Sequence, residues 1–274
     1  MKAIAPASIK PSLKTSLLVL SGVITLGAGA PVAAQSKVAQ PAMRPLSTDR
    51  PDVTESPKTV DGGHFQLEAD LVHLTRDQGD NSWGFAVSNL KLGLLDFVDL
   101  QLVVEPLRNE GGPDGRRWGF GDLTMRLKVN LFGNDEGEVA LAVMPWGKYP
   151  TSGELGNDAI EGGLIVPLGI ALPHDLALGL MAEFDVMGDS DGAGHHFELM
   201  NTASFGFPIV GSLGGYIEAV GVYSAESGVG YVVTANAGLT LGLGENVQLD
   251  AGTNIGVTGD AEDLVVFSGI SFRH

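Results

Sequence analysis

Apolar and polar residues alternate along most of the chain, in about twelve stretches of roughly ten to fourteen residues between residues 63 and 273. Alternation with a period of two predicts β-strands that have two unlike faces. One register is apolar and holds no Asp, Glu, Lys or Arg in any predicted strand, whereas the other register holds the charges. This asymmetry indicates a sheet whose outer face contacts lipid and whose inner face contacts water.

The strand count and the connections predict an all-β fold, a transmembrane antiparallel up-and-down β-barrel of about 12 strands. Connections after every second strand are short, and most of the others are longer and more polar, which places both termini in the periplasm. Pro167 lies in the middle of a strand and predicts a β-bulge there. The predicted strands span residues 64–75, 83–95, 98–106, 119–132, 138–149, 160–172, 175–187, 195–207, 212–223, 229–241, 246–257 and 263–273.

A soluble lipocalin-like barrel would carry the same alternation, with its apolar residues inside. Three features favour the membrane barrel: the lack of charged residues in the apolar register, a leader for export, and aromatic residues near the strand ends, where interfacial girdles form. Those aromatic residues are Trp83, Phe97, Trp118, Phe132, Tyr149, Phe207, Tyr223 and Tyr231.

Residues 1–34 have the pattern of a secretory signal peptide, with three lysines before an apolar run and small residues at its end. A single membrane anchor is the alternative, and the shortness of the run argues against it. Residues 35–62 then form a periplasmic linker with a polar motif, and residues 63–274 form the outer-membrane barrel. The sequence contains no cysteine, so no disulfide framework is available.

The formal net charge of −17 argues against nucleic-acid binding, which needs a basic surface. Charged side chains of the polar register are predicted to face the lumen, where they are either solvated or paired. This register lines a water-filled, charge-patterned passage or forms a paired network that fills a narrow barrel. The candidate lumen residues are Glu68, Asp70, Lys91, Glu105, Arg126, Lys128, Glu161, Glu183, Asp185, Glu198, Glu218 and Asp250.

Several short motifs resemble those of one bacterial outer-membrane family, labelled "putative MetA-pathway of phenol degradation". The opening motif is Ser47-Thr48-Asp49-Arg50-Pro51-Asp52, followed by Ser56-Pro57, Thr59-Val60, Phe65-Gln66 and Glu68; later matches are Gly121-Asp122, Arg126, Lys128, Lys148, Glu161-Gly162-Gly163-Leu164, Pro167, Gly269 and Ser271. The resemblance implies an outer-membrane β-barrel that moves small molecules. The family often ends in an aromatic residue, whereas Arg273 and His274 follow Phe272 here.

Residues 47–60 form a second candidate site, because two prolines prevent a helix and Arg50 lies between carboxylates that invite pairing with lumen charges. We expect this segment to enter the periplasmic mouth and to narrow or gate it through Asp49, Arg50, Asp52 and Glu55. The alternative is a structured leader that only positions the first strand.

Catalytic and metal sites are incomplete in the sequence. Ser204 and His196 share a register but lie too far apart on one strand, and Glu183 with Asp185 lacks a nucleophile. His195 and His196 point to opposite faces, so neither a metal nor a cofactor is expected.

The sequence therefore predicts a non-enzymatic transporter or channel for passive passage of small solutes, aromatic or hydrophobic ones included. An embedded hydrolase and a non-conducting structural barrel are the alternatives. Expected partners are outer-membrane lipid, the solute, the barrel assembly machinery and periplasmic chaperones.

Overall fold

The computed structural model describes residues 43–112, 115–152, 158–192 and 194–274, so the predicted signal peptide lies outside the described residues. Residues 42–274 form one compact unit. Its strands are β1 (Phe65–Asp77), β2 (Asp80–Phe85), β3 (Ser88–Leu95), β4 (Val98–Val104), β5 (Leu107–Gly112), β6 (Gly115–Gly119), β7 (Leu123–Phe132), β8 (Val139–Tyr149), β9 (Glu161–Leu172), β10 (Leu176–Gly188), β11 (His195–Val210), β12 (Leu213–Ser224), β13 (Val232–Gly242), β14 (Val247–Gly256) and β15 (Leu264–Arg273).

Twelve of these strands form a closed antiparallel ring, in the order β1, β3, β4 and then β7 to β15. Pairing of β15 with β1 closes the ring, with Leu67 opposite Phe272 and Arg76 opposite Leu264. Closure leaves no free edge among the twelve ring strands, and a free edge in lipid would have unsatisfied backbone hydrogen-bonding groups. The predicted fold class is therefore confirmed.

The three remaining strands extend the ring at one end. β2 pairs with the outer half of β1, β5 pairs with β2, and β6 pairs with β5. Each continues a ring strand after a short interruption, at residues 86–87, 105–106 and 120–122. The sequence pattern merged β2 and β3 into one predicted strand, residues 83–95, because the alternation resumes after the break. It left β5 and most of β6 in the connection between the predicted strands 98–106 and 119–132.

The two ends of the barrel differ. Phe65 and His274 exchange backbone hydrogen bonds, so the first and last strands meet at one end, which we call the terminus end. The short turns at residues 96–97, 173–175 and 211–212 lie at this end, because antiparallel strands alternate in direction. The opposite end, with the longer connections, is called the loop end.

Burial separates the two registers as predicted. Leu90, Leu92 and Leu94 are 44%, 45% and 48% exposed on the outside, whereas Lys91 between them is 2% exposed inside. An apolar exterior with a charged interior inverts the arrangement of a soluble barrel, and it suits a lipid environment. Among the described residues, no helix is long and apolar enough to cross a membrane.

The predicted bulge at Pro167 is wrong. Pro167 pairs with Met181 of β10 without a shift of register. On the other side of β9, the pairing with β8 passes from Leu141–Leu168 to Met144–Ile165, also without a shift of register. Proline has no backbone N–H, and Pro167 lies between these two pairs, where the ladder has no hydrogen-bonded pair for it to interrupt. Bulges occur elsewhere, as in β1 between Asp70 and Val72.

Substitutions to arginine on the outer face should destabilise the barrel according to depth. We expect Leu90→Arg, near the middle of a ring strand, to lower the free energy of unfolding by about 2–4 kcal/mol in lipid vesicles. Leu95→Arg is the matched control, because it is also exposed but adjoins the turn at Asp96, where the expected cost is about 0–1 kcal/mol. Equal costs in urea unfolding would contradict the assignment of the outer face.

Candidate functional site

Residues 47–62, which we call the inserted segment, lie inside the ring ahead of β1. Their hydrogen-bond partners belong to strands around the whole ring, including β1, β3, β7, β11, β12 and β14. The segment has no regular secondary structure, so its backbone polar groups must find partners on the barrel wall or in water.

Arg50 binds the inner wall where the ring closes. Asp250 of β14 and Asp70 of β1 flank Gly269 of β15 in one cross-strand row. The guanidinium donates to Asp250 at 2.6 Å and to Asp70 at 2.5 Å, and it lies 5.7 Å from the ring of Phe267. A Cβ on Gly269 would lie 2.2 Å from Arg50 Nη2, so only glycine leaves room for this cation. The row therefore forms a fitted site for Arg50.

Asp49 joins two buried lysines of the wall. Its carboxylate accepts from Lys128 at 2.6 Å and forms an ion pair with Lys91, which also pairs with Glu68. Both lysine side chains are at most 2% exposed, so their charges depend on these partners rather than on water. The pKa of Asp49 lies well below its ordinary value; burial opposes this shift, and the charges of Lys128 and Lys91 outweigh burial.

Two wall carboxylates hold the backbone of the inserted segment. Glu68 accepts from the amide nitrogens of Asp49 and Arg50 at 3.0 and 2.9 Å. Glu218 accepts from the amides of Val53 and Thr54 at 3.0 and 2.8 Å. A charged acceptor roughly doubles the strength of a hydrogen bond to an amide. The excess of acidic side chains in the lumen thus supplies hydrogen-bond acceptors for the amides of a segment without regular secondary structure.

The middle of the segment also has apolar and side-chain contacts. Val53 packs against a buried cluster of Met144, Ile165 and Met181 from three neighbouring strands. Thr54 contacts Thr202 of β11 with 2.6 Å between the hydroxyl oxygens. Glu55 accepts from Arg126 of β7 at 2.5 Å. These contacts fix the segment on the side opposite the closing seam.

The segment leaves the lumen along β3 and β4 at the terminus end. Val60 donates its amide to Asp99 at 3.0 Å, and Thr59 donates its amide to Asn134 at 3.0 Å. A Cβ on Gly93 would lie 2.0 Å from the Asp61 carbonyl oxygen, so this glycine permits close backbone approach. The inserted segment is therefore anchored along its whole length.

The predicted lumen residues divide into two groups. Seven contact the inserted segment: Glu68, Asp70, Lys91, Arg126, Lys128, Glu218 and Asp250. Glu105, Glu161, Glu183, Asp185 and Glu198 have wall partners instead; for example, Glu161 pairs with Lys148 at 2.6 Å and Asp185 accepts from Trp146 at 3.0 Å. Of the predicted mouth residues, Asp49, Arg50 and Glu55 form ion pairs with the wall, and Asp52 borders cavities.

Sequence reasoning missed the neutral residues of this site. Asn134 and Thr202 bind the segment, and the inward-facing glycines of the wall leave the space that it fills. Cβ atoms on Gly169 and Gly179 would lie 3.1 and 3.0 Å from Pro57 and Thr54. Glycine at inward positions was a usable signal, because a side chain there would otherwise occupy the lumen.

Two cavities lie beside the segment at the terminus end. One of about 280 Å³ is bordered by Thr54, Glu55, Pro57, Gly169 and Gly179. The other, of about 410 Å³, is bordered by Arg50, Tyr216 and Gln248. Asp52 and Ser204 border both cavities, so the segment leaves space for water and small molecules on two sides.

No serine–histidine pair suitable for hydrolysis is assembled on β11. His196 contacts Asp189 at 2.9 Å near the loop end, whereas Ser204 lies eight positions along the strand and pairs in register with Glu218. Eight residues of a strand span roughly 26 Å, which prevents proton transfer between the two.

Enlarging the glycine beneath Arg50 should loosen the inserted segment. We expect Gly269→Ala to reduce the free energy of unfolding by about 1–3 kcal/mol, because the new methyl group occupies the position of the guanidinium. The chain has no cysteine, so a Val53→Cys reporter can be labelled cleanly, and its labelling rate should rise in this variant.

Gly206→Ala is the matched control, since a Cβ there would lie 3.7 Å from Ala177 and meet no part of the segment. It should leave the labelling rate unchanged. Equal labelling in Gly269→Ala and Gly206→Ala would show that the fit at Arg50 does not hold the segment.

Barrel stability should depend on pH through Asp52. Burial, followed by the neighbouring Glu218 and Asp49 charges, raises the pKa of Asp52 to about 7 against a hydrogen bond from Ser204. The folded protein therefore holds a proton that the unfolded chain releases near pH 4, so stability falls as pH rises from about 4 to about 7.

Asp52→Asn should remove this decrease in the free energy of unfolding between pH 4 and pH 7, which is at most about 4 kcal/mol. The variant should therefore be more stable than the wild type at pH 8. Urea unfolding of both proteins in vesicles at pH 5 and pH 8 measures the difference. An identical pH dependence in the two would contradict the role of Asp52.

The comparisons with known proteins agree with this architecture. Among solved structures, the chain is similar to the COG4313 outer membrane channel from Pseudomonas putida F1, with a TM-score of 0.61 and 14% identity over 83% of this chain and 100% of that chain. It is also similar to the NanC porin, with a TM-score of 0.53 and 10% identity over 75% of this chain and 98% of that chain. No curated protein sequence matches.

These likenesses show the fold, and the closed ring with its apolar exterior agrees with the predicted outer-membrane location. Residues 48–274 match the family described as "Putative MetA-pathway of phenol degradation", a match that begins inside the inserted segment and runs through the last strand. The chain therefore belongs to this family.

Proposed function

We propose that the protein is a passive outer-membrane channel for small solutes, and that the inserted segment narrows its passage from the periplasmic side. The observation that carries this proposal is the mode of attachment of the segment. Besides the enclosed ion pairs of Asp49, it is held by charged and polar contacts that face the cavities, such as those of Arg50 and Glu55, and the cavities beside it measure about 280 and 410 Å³. The terminus end then faces the periplasm.

The lumen favours neutral or cationic solutes. Asp49, Asp52 and Glu55 add carboxyl groups to a wall where acidic residues already outnumber bases, whereas the segment's cations are Arg50, which pairs with wall carboxylates, and Lys58. Rings of carboxylates attract cations and repel anions at close range. Solutes would cross along their own gradient, with no chemical step and no cofactor.

The name of the solved Pseudomonas neighbour, an outer membrane channel, agrees with this proposal. Outer-membrane lipid surrounds the exposed leucines, and the barrel assembly machinery and periplasmic chaperones would insert the barrel during export. A structural barrel without conduction is the remaining candidate, because the inserted segment crosses the lumen.

Deleting residues 47–60 should widen the passage. We expect the single-channel conductance of the refolded deletion variant in planar bilayers to rise several-fold, because charged contacts on both sides of the lumen are replaced by water. The rise should be accompanied by a preference for cations over anions in reversal-potential measurements.

A disulfide provides the matched control in a chain of full length. The hydroxyl oxygens of Thr54 and Thr202 lie 2.6 Å apart, close to the sulfur separation of a disulfide of about 2.0 Å, so Thr54→Cys with Thr202→Cys should crosslink on oxidation. The oxidised variant should conduct as the wild type does. A well-folded deletion variant that remains silent would refute the channel, whereas one that conducts no more than the wild type would refute the narrowing role.

A further inference from the structure

A cluster of one histidine and three carboxylates lies at the loop end, away from the inserted segment. His196 is the second residue of β11, and Glu198 follows two residues later on the same face. Asp189 lies in the β10–β11 connection, and Glu226 lies in the β12–β13 connection. The side chain of His196 is 9% exposed. Asp189, His196 and Glu226 each place a potential ligand atom within 4.8 Å of the others.

The imidazole contacts carboxylates through both of its nitrogens. Nδ1 lies 2.9 Å from Asp189 Oδ1, and Nε2 lies 3.1 Å from Glu198 Oε1 and 3.9 Å from Glu226 Oε2. A neutral imidazole has only one N–H. With that proton on Nδ1 and bound to Asp189, the Nε2 lone pair faces two anionic oxygens, and either a second proton on Nε2 or a metal ion between these atoms would hold them together.

The distances around Nε2 fit a bound divalent metal ion. Zinc binds imidazole nitrogen and carboxylate oxygen at about 2.0–2.2 Å with tetrahedral geometry, which separates ligand atoms by roughly 3.4 Å. The observed separations of 3.1 and 3.9 Å lie on either side of this value. Asp189 occupies the position of the carboxylate that orients a metal-bound histidine through its second nitrogen.

The surrounding backbone holds two of these carboxylates in place. The amide of Ser190 donates to Glu226 Oε1 at 2.8 Å, which leaves Oε2 directed towards His196. The connection folds back through a hydrogen bond of 3.0 Å from the Asp189 amide to the Gly194 carbonyl. A Cβ on Gly194 would lie 2.5 Å from Asp189 Oδ2, so glycine permits the carboxylate to lean towards the histidine.

We propose that His196, Glu198 and Glu226 bind a first-row divalent metal ion such as Zn²⁺, with Asp189 as the positioning residue for the imidazole. Imidazole and carboxylate together suit zinc, whereas calcium and magnesium prefer sites built entirely of oxygen. The ion would join the β10–β11 connection to the β12–β13 connection at the mouth of the barrel. It would also neutralise most of the negative charge of the cluster.

Titration of the refolded barrel with Zn²⁺ in detergent, followed by calorimetry, tests this proposal. We expect one ion per chain, no comparable heat from Ca²⁺ or Mg²⁺, and a raised thermal unfolding midpoint with Zn²⁺ present. His196→Gln should lose the binding. Asp189→Asn should weaken it by about 10–100-fold, as substitutions of orienting carboxylates do.

His195→Gln is the matched control, because His195 is the adjacent histidine, is exposed, and contacts the Ile160 carbonyl instead of the cluster. It should bind Zn²⁺ as the wild type does. Equal zinc affinity in His196→Gln and the wild type would overturn the proposal. So would a folded wild type that binds no zinc, since the cluster would then be bridged by a proton alone. Neither result depends on whether the barrel conducts.

Discussion

Every charge inside this barrel needs a partner, and that constraint determines how the N-terminal part of the chain is placed. The buried wall lysines Lys91 and Lys128 lie between carboxylates of the wall and Asp49 of the inserted segment. Removing one partner of a buried ion pair typically costs about 3–5 kcal/mol, because the remaining charge is left without compensation. The buried charges of the wall and those of the inserted segment therefore compensate one another, and neither set would be compensated without the other.

The same constraint explains why an irregular segment can lie inside a protein. A buried loop is normally excluded by its unsatisfied backbone amides. Here Glu68 and Glu218 accept four of them, and both side chains belong to strands of the wall. Glycines at inward positions complete the fit, as Gly269 does beneath Arg50. The charged side chains of the lumen wall and its inward-facing glycines together bind the inserted segment.

Much of the fold could be predicted from sequence, because the period-two pattern reports which side of each strand faces lipid. All twelve ring strands were predicted within a few residues. The pattern could not show the interruption at residues 86–87, since alternation resumes after it. It also left β5 and most of β6 unpredicted, and it predicted a bulge at Pro167 that the structure does not have. It predicted which side chains face the lumen but not which residues they contact. Pairs such as Arg50 with Asp250, which are 200 residues apart, depend on ring closure.

The chemistry of the attachment also limits how the segment can act. An apolar plug would resist leaving, because each exposed methylene costs about 0.8 kcal/mol in water. The ion pairs of Arg50 and Glu55 can instead be replaced by hydration on the partly exposed sides that face the cavities, whereas the pairs of Asp49 are almost fully enclosed. The stretch around Arg50 to Glu55 is thus the part that solutes or salt can loosen first, while Asp49 keeps the segment anchored to the wall. If the segment narrows the passage as proposed, these contacts would let it change the width of the passage without leaving the lumen.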